Sequence, residues 1–506
     1  MAAVESTLPS PVEPSQRLGF VGLMRNRNYA LLWSGQLVSE FGTRLHFMAV
    51  ALWIFARTES AFVVSAAVAA MYIGPLLFGL WAGVIVDRFS RKTILVISDF
   101  VRAGLVALIP WLMSVDIIYV YADLMLISIA TTFFRPAMFA VVPQIVRKEA
   151  LLEANAFFAA MDNATDIAGP ALAGLLVGFA GYQTALYFDA VTYVFSGVCV
   201  LAMLVPRLVE VAEKVTASSL WRGAVEGVRY IRRDALQWAL FLLIFPATLV
   251  GSGLNALQTP LAKGAVGITD PQFGVFQTVW GAGIFISSLL IGWFGQRASK
   301  SWLILGGYFL HYVMTAFMGL AWGYTPLLIA GFGVGFANAF YFVGLGTVLM
   351  AHTPATMVGR VISTRQVAIG VLRIATPLMF GAAADAFGVR PTTMLLAVIG
   401  ALATVAAVAR IPVLRNLDAR TRGAPLASPA PGPFADWLLG PVRPGFDTLS
   451  QQRLNAITLV VVLIVWLFTF IRAPFAGVAL LVVIATASAL MSWRRQRTGL
   501  SRTPSG

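Results

Sequence analysis

The sequence has almost none of the residues from which covalent frameworks and metal centres are built. Its 506 residues include one cysteine, Cys199, which lies inside an apolar run, so a disulfide framework is excluded. The residue spacings typical of a metal site or a catalytic triad are absent, and so is the phosphate-binding P-loop sequence. We therefore expect no enzymatic activity, no cofactor and no direct use of ATP.

Charge is also scarce. Only 11% of the residues are charged and 59% are hydrophobic, which is more apolar surface than a soluble protein can bury. The composition therefore predicts an integral membrane protein. The net charge of +14 does not indicate a nucleic-acid partner, because the basic residues fall in short loops between apolar runs. In such loops they orient the chain and contact anionic lipid headgroups.

Twelve apolar runs, each about long enough to cross a bilayer as an α-helix, fill most of the chain before residue 412. Basic loops alternate with weakly charged ones, starting with Arg25 and Arg27 ahead of the first run. By the positive-inside rule, this alternation predicts a protein of the plasma (inner) membrane with both termini in the cytoplasm. A polar segment between the sixth and seventh runs has apolar residues at helical spacing, which predicts an amphipathic surface helix.

These features divide the chain into seven segments. They are a disordered cytoplasmic tail (1–27), an N-terminal six-helix half (28–206), a cytoplasmic linker with the amphipathic helix (207–234), a C-terminal six-helix half (235–411), a Pro-rich cytoplasmic linker (412–455), a two-helix membrane hairpin (456–492) and a basic cytoplasmic tail (493–506). A re-entrant or interfacial hairpin is the alternative, but the flanking arginines favour two crossings. We expect the hairpin to be an accessory that could bind a protein partner.

A charged turn between the second and third runs is the most informative stretch. It reads Gly83-Val-Ile-Val-Asp87-Arg88-Phe-Ser90-Arg91-Lys92, and a degenerate copy containing Arg297 follows the eighth run. The stretch resembles the motif between the second and third helices of the major facilitator superfamily, with Ser90 in place of its second glycine. Two ordinary basic loops are the alternative, but repetition at a constant offset is typical of transporters built from two related halves.

This resemblance implies an all-α, twelve-helix facilitator fold that works by alternating access. The turn would then act as a conformational latch. Gly83 would leave room for a neighbouring helix, and Asp87 would cap the N-terminus of a facing helix. The basic members of the latch are Arg88, Arg91, Lys92 and Arg297.

A second motif lies in the fifth run. Gly169-Pro170-x-x-Ala173-Gly174 resembles the G-P-x-x-G-G motif of the superfamily's exporters, with alanine in place of one glycine. Glycine leaves a helix face without side chains, and proline gives the helix a point where it can bend. The two halves could move against each other at such a helix. The motif therefore implies export. Phe134-Arg135-Pro136-Ala137 is one of several phrases that resemble the enterobactin-exporter-like and macrolide-efflux-like branch.

Ionisable residues inside a span are costly and indicate function. In the first span Glu40 lies near mid-membrane and shares a helix face with Gln36 and Arg44, so it could bind protons or substrate, or could only pair with Arg44. Asp162 and Asp166 lie one turn apart in the fifth span, where they could carry protons or form ion pairs. The other candidates are Arg135 in the fourth span and Arg373 in the eleventh.

The sequence as a whole predicts a proton-coupled exporter of a small amphipathic compound, such as a siderophore or a hydrophobic drug. Its expected partners are that substrate, protons and membrane lipids. A lysolipid or lipid flippase of the same fold is one alternative. A membrane scaffold or sensor that transports nothing is another.

Overall fold

The computed structural model describes residues 19–205, 217–294 and 298–415, and the regular elements in these ranges are all helices. Within these ranges, ten helical segments are long and apolar enough to cross a membrane, judged by length and composition. The first helix and the start of the fifth are not among the ten, because charged side chains such as Glu40 and Asp162 lower their hydropathy. The predicted all-α membrane architecture is confirmed.

In these described ranges, twelve helices cross the bundle, and they are numbered here in chain order. The first six are Arg27–Thr58, Ala61–Ala70 continued by Ile73–Arg88, Arg91–Val115, Ile117–Ile145 and the two parts of Leu151–Ala202. The last six are Ala235–Thr259 continued by Pro260–Ala265, Asp270–Phe294, Trp302–Gly306 continued by Gly307–Leu320, Tyr324–Ala351, Ala355–Phe387 and Val389–Arg410.

Polar caps and one glycine set where these helices begin and end. Ser90, the residue that replaces a motif glycine, is the N-cap of the third helix and accepts a hydrogen bond from the Thr93 amide at 3.4 Å. The fifth and sixth helices are separated only at Gly181, which has a φ of 81°. This left-handed conformation favours glycine and lets the chain turn. We call the end of the bundle that holds residues 88–92 the motif end, and the opposite end the distal end.

The N-terminal tail is more ordered than the sequence suggested. Disorder was expected through residue 27, but Gly19–Met24 form a short helix. Phe20 packs its ring against Trp33 and Phe157, with centroids 5.2 and 4.9 Å away. Burial of these apolar side chains stabilises a segment whose composition alone looked polar.

A helix, Ala217–Arg233, lies in the segment where the amphipathic linker helix was predicted. It packs against the eleventh helix at the motif end, where Glu226 and Arg360 form an ion pair at 2.5 Å. Beyond the eleventh and twelfth helices, Pro412–Arg415 form a last short helix. The rest of the Pro-rich linker, the hairpin and the basic tail lie outside the described residues.

The two halves meet closely at the distal end. Gly174 of the fifth helix lies so near Gly274 of the eighth that a Cβ at position 174 would be 2.5 Å from the Gly274 Cα. Only a residue without a side chain permits this approach of two backbones. Nearby, the Tyr182 hydroxyl donates a hydrogen bond to Asp270 at 3.2 Å, which also joins the two halves.

A carboxylate holds a second contact between the halves at the distal end. Asp385, near the end of the eleventh helix, accepts hydrogen bonds from the Ser60 hydroxyl at 2.5 Å and from the amides of Ala61 and Phe62 at 2.6 and 3.2 Å. Those two amides begin the second helix. A charge from the C-terminal half therefore caps a helix of the N-terminal half and meets the positive end of its dipole.

We predict that Asp385→Asn weakens closure of the distal end. Removing the charge from this exposed cap should cost about 0.3 to 1 kcal/mol, which shifts the equilibrium between closed and open distal ends about two- to fivefold. The measurement is an electron–electron distance distribution between spin labels at Tyr119→Cys and Trp322→Cys, in a Cys199→Ser background.

The matched control for this prediction is Asp116→Asn. Asp116 also caps a helix at the distal end, because its carboxylate accepts the Ile118 amide at 2.9 Å, but both residues belong to the same half. The control should leave the distance distribution unchanged. Equal distributions in Asp385→Asn and in the parent protein would show that the cap does not hold the halves together.

Candidate functional site

Charged side chains of the first helix lie near the middle of the bundle. Glu40 is roughly 20 Å along the helix from its motif end. Its carboxylate lies 3.8 Å from the Arg44 guanidinium, and the two side chains keep 21% and 36% of their surface exposed. The predicted pairing is therefore present, and both groups remain open to solvent. A half-exposed pair can exchange partners at a lower cost than a fully buried one.

Arg44 connects this pair to the exporter-like motif of the fifth helix. A Cβ at Gly169 would lie 2.7 Å from the Arg44 Cγ, so the arginine stem occupies the place where a side chain would be. Gly169 therefore has a physical role, because it makes room for Arg44. The side chain of the adjacent Pro170 lies outside the described residues.

Gln36 and Thr43 do not contact Glu40, although the helix period places them on the same side. The Gln36 amide donates to the Ser196 hydroxyl at 3.0 Å, and the Thr43 hydroxyl bonds to that of Tyr193 at 2.9 Å. Both partners belong to the sixth helix. Together with Glu40 and Arg44, Gln36 and Thr43 span about 100° of the helix surface. Gln36 and Thr43, at one edge, pack on the sixth helix, whereas Glu40 and Arg44, at the other edge, remain partly exposed. In this structure Gln36 therefore bonds to the sixth helix and not to Glu40.

The other polar groups on this flank form buried pairs. Asp99 and Arg102 of the third helix lie 2.5 Å apart, and Arg102 also stacks over Phe134 at 4.1 Å. His46 bonds to Asp189 at 2.6 Å, and both side chains are at most 2% exposed. These groups are sealed from solvent and bonded to one another, so they fix the packing of the N-terminal half, although the Nε2 atom of His46 has no hydrogen-bond partner among the described residues.

The fourth and fifth helices contribute a second exposed ion pair. Arg135 donates to the Asp162 carboxylate at 3.0 Å, and the side chains are 54% and 35% exposed. This is the structural pairing that the sequence analysis named as one alternative for Asp162. The side chain of Asp166 lies outside the described residues. Both partners lie roughly 15 Å from the motif end, about level with each other.

Arg373 of the eleventh helix faces the other half. Its guanidinium lies 5.2 Å from the centre of the Tyr72 ring, at the break between the two parts of the second helix. The side chain is exposed. A cation over an aromatic face is a favourable contact that leaves the charge available to other ligands. Arg373 thus lies between the halves, separate from Asp162 and Arg135.

The structure defines the surroundings of two latch residues, Gly83 and Lys92. In the described residues, a Cβ at Gly83 would have nothing within 4 Å, so the room that this glycine leaves is not filled. Lys92 donates to the carbonyls of Leu201 and Met203, both at 2.7 Å, and so binds the end of the sixth helix within its own half. Arg88 is exposed and Arg91 is half-buried. The side chain of Asp87 and all of Arg297 lie outside the described residues.

Two charged residues that the sequence analysis did not select stand out. Asp123 of the fourth helix is 3% exposed, and one of its carboxylate oxygens has no hydrogen-bond partner among the described residues. Arg365 of the eleventh helix lies in a cleft lined by Phe241, Phe245 and aliphatic side chains. Both lie inside apolar runs, so the rule that selected Glu40 could have found them. In the described chain, no cluster of three or more His, Cys, Asp or Glu side chains could hold a metal ion.

A family comparison identifies the architecture. The model of the Major Facilitator Superfamily matches residues 32–262 and 240–503, and together these ranges cover most of the chain. The second match extends through the linker and hairpin from 412 to 492.

Individual relatives and solved structures are transporters. Macrolide efflux protein A of Streptococcus pyogenes is 26% identical over 292 residues, covering 57% of this chain and 72% of that protein. The putative bacilysin exporter BacE of Bacillus amyloliquefaciens is 26% identical over 269 residues, covering 51% and 66%.

Two solved structures share the fold. The nucleoside transporter NupG has a TM-score of 0.58 at 12% identity, covering 76% of this chain and 98% of that one. A bacterial homologue of the human lysosomal transporter Spinster has a TM-score of 0.60 at 15% identity, covering 79% and 99%. The resemblance to the macrolide-efflux-like branch is confirmed, and the chain belongs to the major facilitator superfamily of multi-pass membrane transporters.

Proposed function

We propose that the protein is a proton-coupled exporter of a small amphipathic compound, such as a siderophore or a drug-like molecule. The observation that carries this proposal is the half-exposed Glu40–Arg44 pair, which lies against Gly169 of the exporter-like motif. A carboxylate in this position can bind a proton, and its protonation would release Arg44 from the pair. The motif that accommodates Arg44 also contacts the other half of the protein.

Export is supported by the relatives and by the state of the bundle. The matched proteins include a macrolide efflux protein and a putative bacilysin exporter. The positive-inside rule favours a cytoplasmic motif end, because Arg88, Arg91, Lys92 and the linker arginines lie there. With the distal end closed by Asp385 and by the Gly174 contact, the space around Glu40 would then open toward the cytoplasm. An exporter loads its substrate in such a state.

We predict that Glu40→Gln abolishes gradient-driven export but preserves substrate binding. Glutamine keeps the size and hydrogen-bonding capacity of glutamate but cannot exchange a proton, so flux should lose its dependence on the proton gradient. The measurement is the flux of a fluorescent macrolide into liposomes that contain the purified protein, across a series of pH gradients. Exchange of internal and external substrate without a gradient should persist.

The matched control for Glu40→Gln is Glu226→Gln. Glu226 is an exposed carboxylate of the linker helix that also pairs with an arginine, Arg360, but lies outside the bundle. Its variant should transport like the parent protein. Parental flux and an unchanged pH profile in Glu40→Gln would refute the assignment and direct the search to Asp162, Asp166 and Asp123.

The latch residues support a reciprocal arrangement of the second and eleventh helices. These helices run in opposite directions, and each has an aspartate near its C-terminal end, Asp87 and Asp385. Asp385 caps the second helix at the distal end in this structure. On the proposed mechanism, Asp87 caps the eleventh helix at the motif end when the protein opens outward. One carboxylate cap would then stabilise each state.

We predict that Asp87→Asn shifts the protein toward the state seen here, opposite to the shift caused by Asp385→Asn. Loss of a charge–dipole contact of up to about 2 kcal/mol would change the ratio of states by more than about tenfold. Spin labels at Phe89→Cys and Trp302→Cys, in a Cys199→Ser background, would report the width of the motif end. The control is Asp234→Asn, because Asp234 caps the seventh helix within one half. If the same fraction of molecules has a narrow motif end in Asp87→Asn and in the parent protein, Asp87 does not stabilise the outward-open state.

A lipid flippase of the same fold is the second candidate, favoured by one observation. An apolar pocket of about 340 Å³ lies between the second, fourth and eleventh helices and is lined by residues such as Ala66, Met125 and Leu378. Its size and lining suit a hydrocarbon chain. Translocation of a fluorescent lysolipid by the purified protein, faster than that of the macrolide and independent of a proton gradient, would favour this function.

A further inference from the structure

Arg365 occupies an unusual environment within the C-terminal half. It lies roughly 15 Å along the eleventh helix from the motif end. Its cleft is lined by Phe241, Ile244 and Phe245 of the seventh helix, together with neighbouring apolar residues of the eleventh. The Arg365 side chain is half-buried, as are the two phenylalanines. A guanidinium is thus held among aromatic rings at a depth where charge is costly.

No carboxylate compensates this charge among the described residues. The other arginines at comparable depth have identified partners: Arg44 pairs with Glu40, Arg102 with Asp99 and Arg135 with Asp162. An arginine inside a membrane span carries a costly charge that a bound anion can neutralise.

The cleft borders the space between the halves. Gln366 and Arg373 are seven residues apart on the eleventh helix, share one face and are both exposed. A glutamine and an arginine exposed on the same face of a span indicate an aqueous space, because lipid would not solvate them. The half-buried side chain of Arg365 lies beside this face, about 100° around the helix from Gln366.

We propose that Arg365, Phe241 and Phe245 form a subsite that binds the anionic group and the adjoining aromatic ring of an amphipathic substrate. This inference rests on the proposed transport function and specifies the chemical class of the substrate as an aromatic anion, such as a carboxylate or sulfonate. A guanidinium offers paired donors that match either group. The phenylalanine rings exclude water and pack against the apolar body of the ligand.

The test uses two probes that share one ring system. The fluorescent anion 1-anilinonaphthalene-8-sulfonate and the neutral N-phenyl-1-naphthylamine differ only by the sulfonate group. Saturable binding of each probe is measured on the full-length protein in lipid nanodiscs, with empty nanodiscs subtracted. The parent protein should bind the anion more tightly. In Arg365→Gln, anion affinity should fall by about tenfold or more while affinity for the neutral probe stays within about twofold. Arg365→Lys should restore part of the loss.

Two controls make the outcome decisive. Arg410→Gln removes an exposed arginine at the end of the twelfth helix and should bind both probes like the parent. In the parent protein, 2-naphthoate should displace the anion more effectively than 2-naphthylmethylamine, which tests the subsite even if Arg365→Gln does not fold. Equal displacement by the two competitors, or equal anion affinity in the parent and a folded Arg365→Gln, would overturn the proposal.

Transport is measured separately, so that failure of the proposed function can be recognised. Selective anion binding that requires Arg365, without gradient-driven flux of any probe, would contradict the exporter and leave the subsite standing. Gradient-driven flux that does not distinguish the anion from the neutral probe, in both the parent and Arg365→Gln, would contradict the subsite and leave the exporter standing.

Discussion

The high cost of charge in an apolar environment governs this structure. Its membrane helices carry several ionisable side chains, and most of them have found a partner of opposite charge. The pairs differ in exposure. Arg102–Asp99 and His46–Asp189 are at most 5% exposed, whereas Arg44–Glu40 and Arg135–Asp162 retain between 21% and 54% of their side-chain surface. The buried pairs lie within the N-terminal half, where His46–Asp189 joins the first helix to the sixth and Asp99 accepts a hydrogen bond from Ser196 of the sixth helix at 2.9 Å. The exposed Glu40–Arg44 pair is instead open to the space around it.

The fifth helix links that space to the contact between the halves. Gly169 accommodates the stem of Arg44, and Gly174 lies against the backbone of Gly274 in the other half. The two glycines are about 7.5 Å apart along the helix axis and face different directions. Because little more than one turn of helix separates the two glycines, a displacement of Arg44 can be transmitted to the place where the halves meet. Arg44 therefore connects Glu40 to the helix that makes the distal contact between the halves, so protonation of Glu40 could affect that contact.

Hydropathy and loop charge were enough to predict the membrane helices, and the short motifs were enough to predict the family. The candidate site was predictable only in part. Helical periodicity correctly placed Glu40 one turn from Arg44, but it could not show that Gln36, on the same side of the helix, packs against Ser196 of the sixth helix. Periodicity specifies which residues share a face, whereas neighbouring helices decide which part of that face is buried. The N-terminal helix Gly19–Met24 was missed because its stability comes from Phe20 packing on distant residues.

The two halves of the site differ in their charge balance. In the N-terminal half, the exposed pairs Glu40–Arg44 and Arg135–Asp162 each sum to zero when ionised. In the described part of the C-terminal half, Arg365 lies among apolar side chains and Arg373 lies over the Tyr72 ring, and neither has a carboxylate beside it among the described residues. On the proposed function, a proton changes the charge of the first half, and a substrate anion neutralises the second. A substrate that touches both halves would then sense the protonation of Glu40 through the released Arg44. Proton movement and substrate transport would then be coupled without contact between the proton and the substrate. Each would change the net charge of the region between the halves, and that charge would favour one state of the protein over the other.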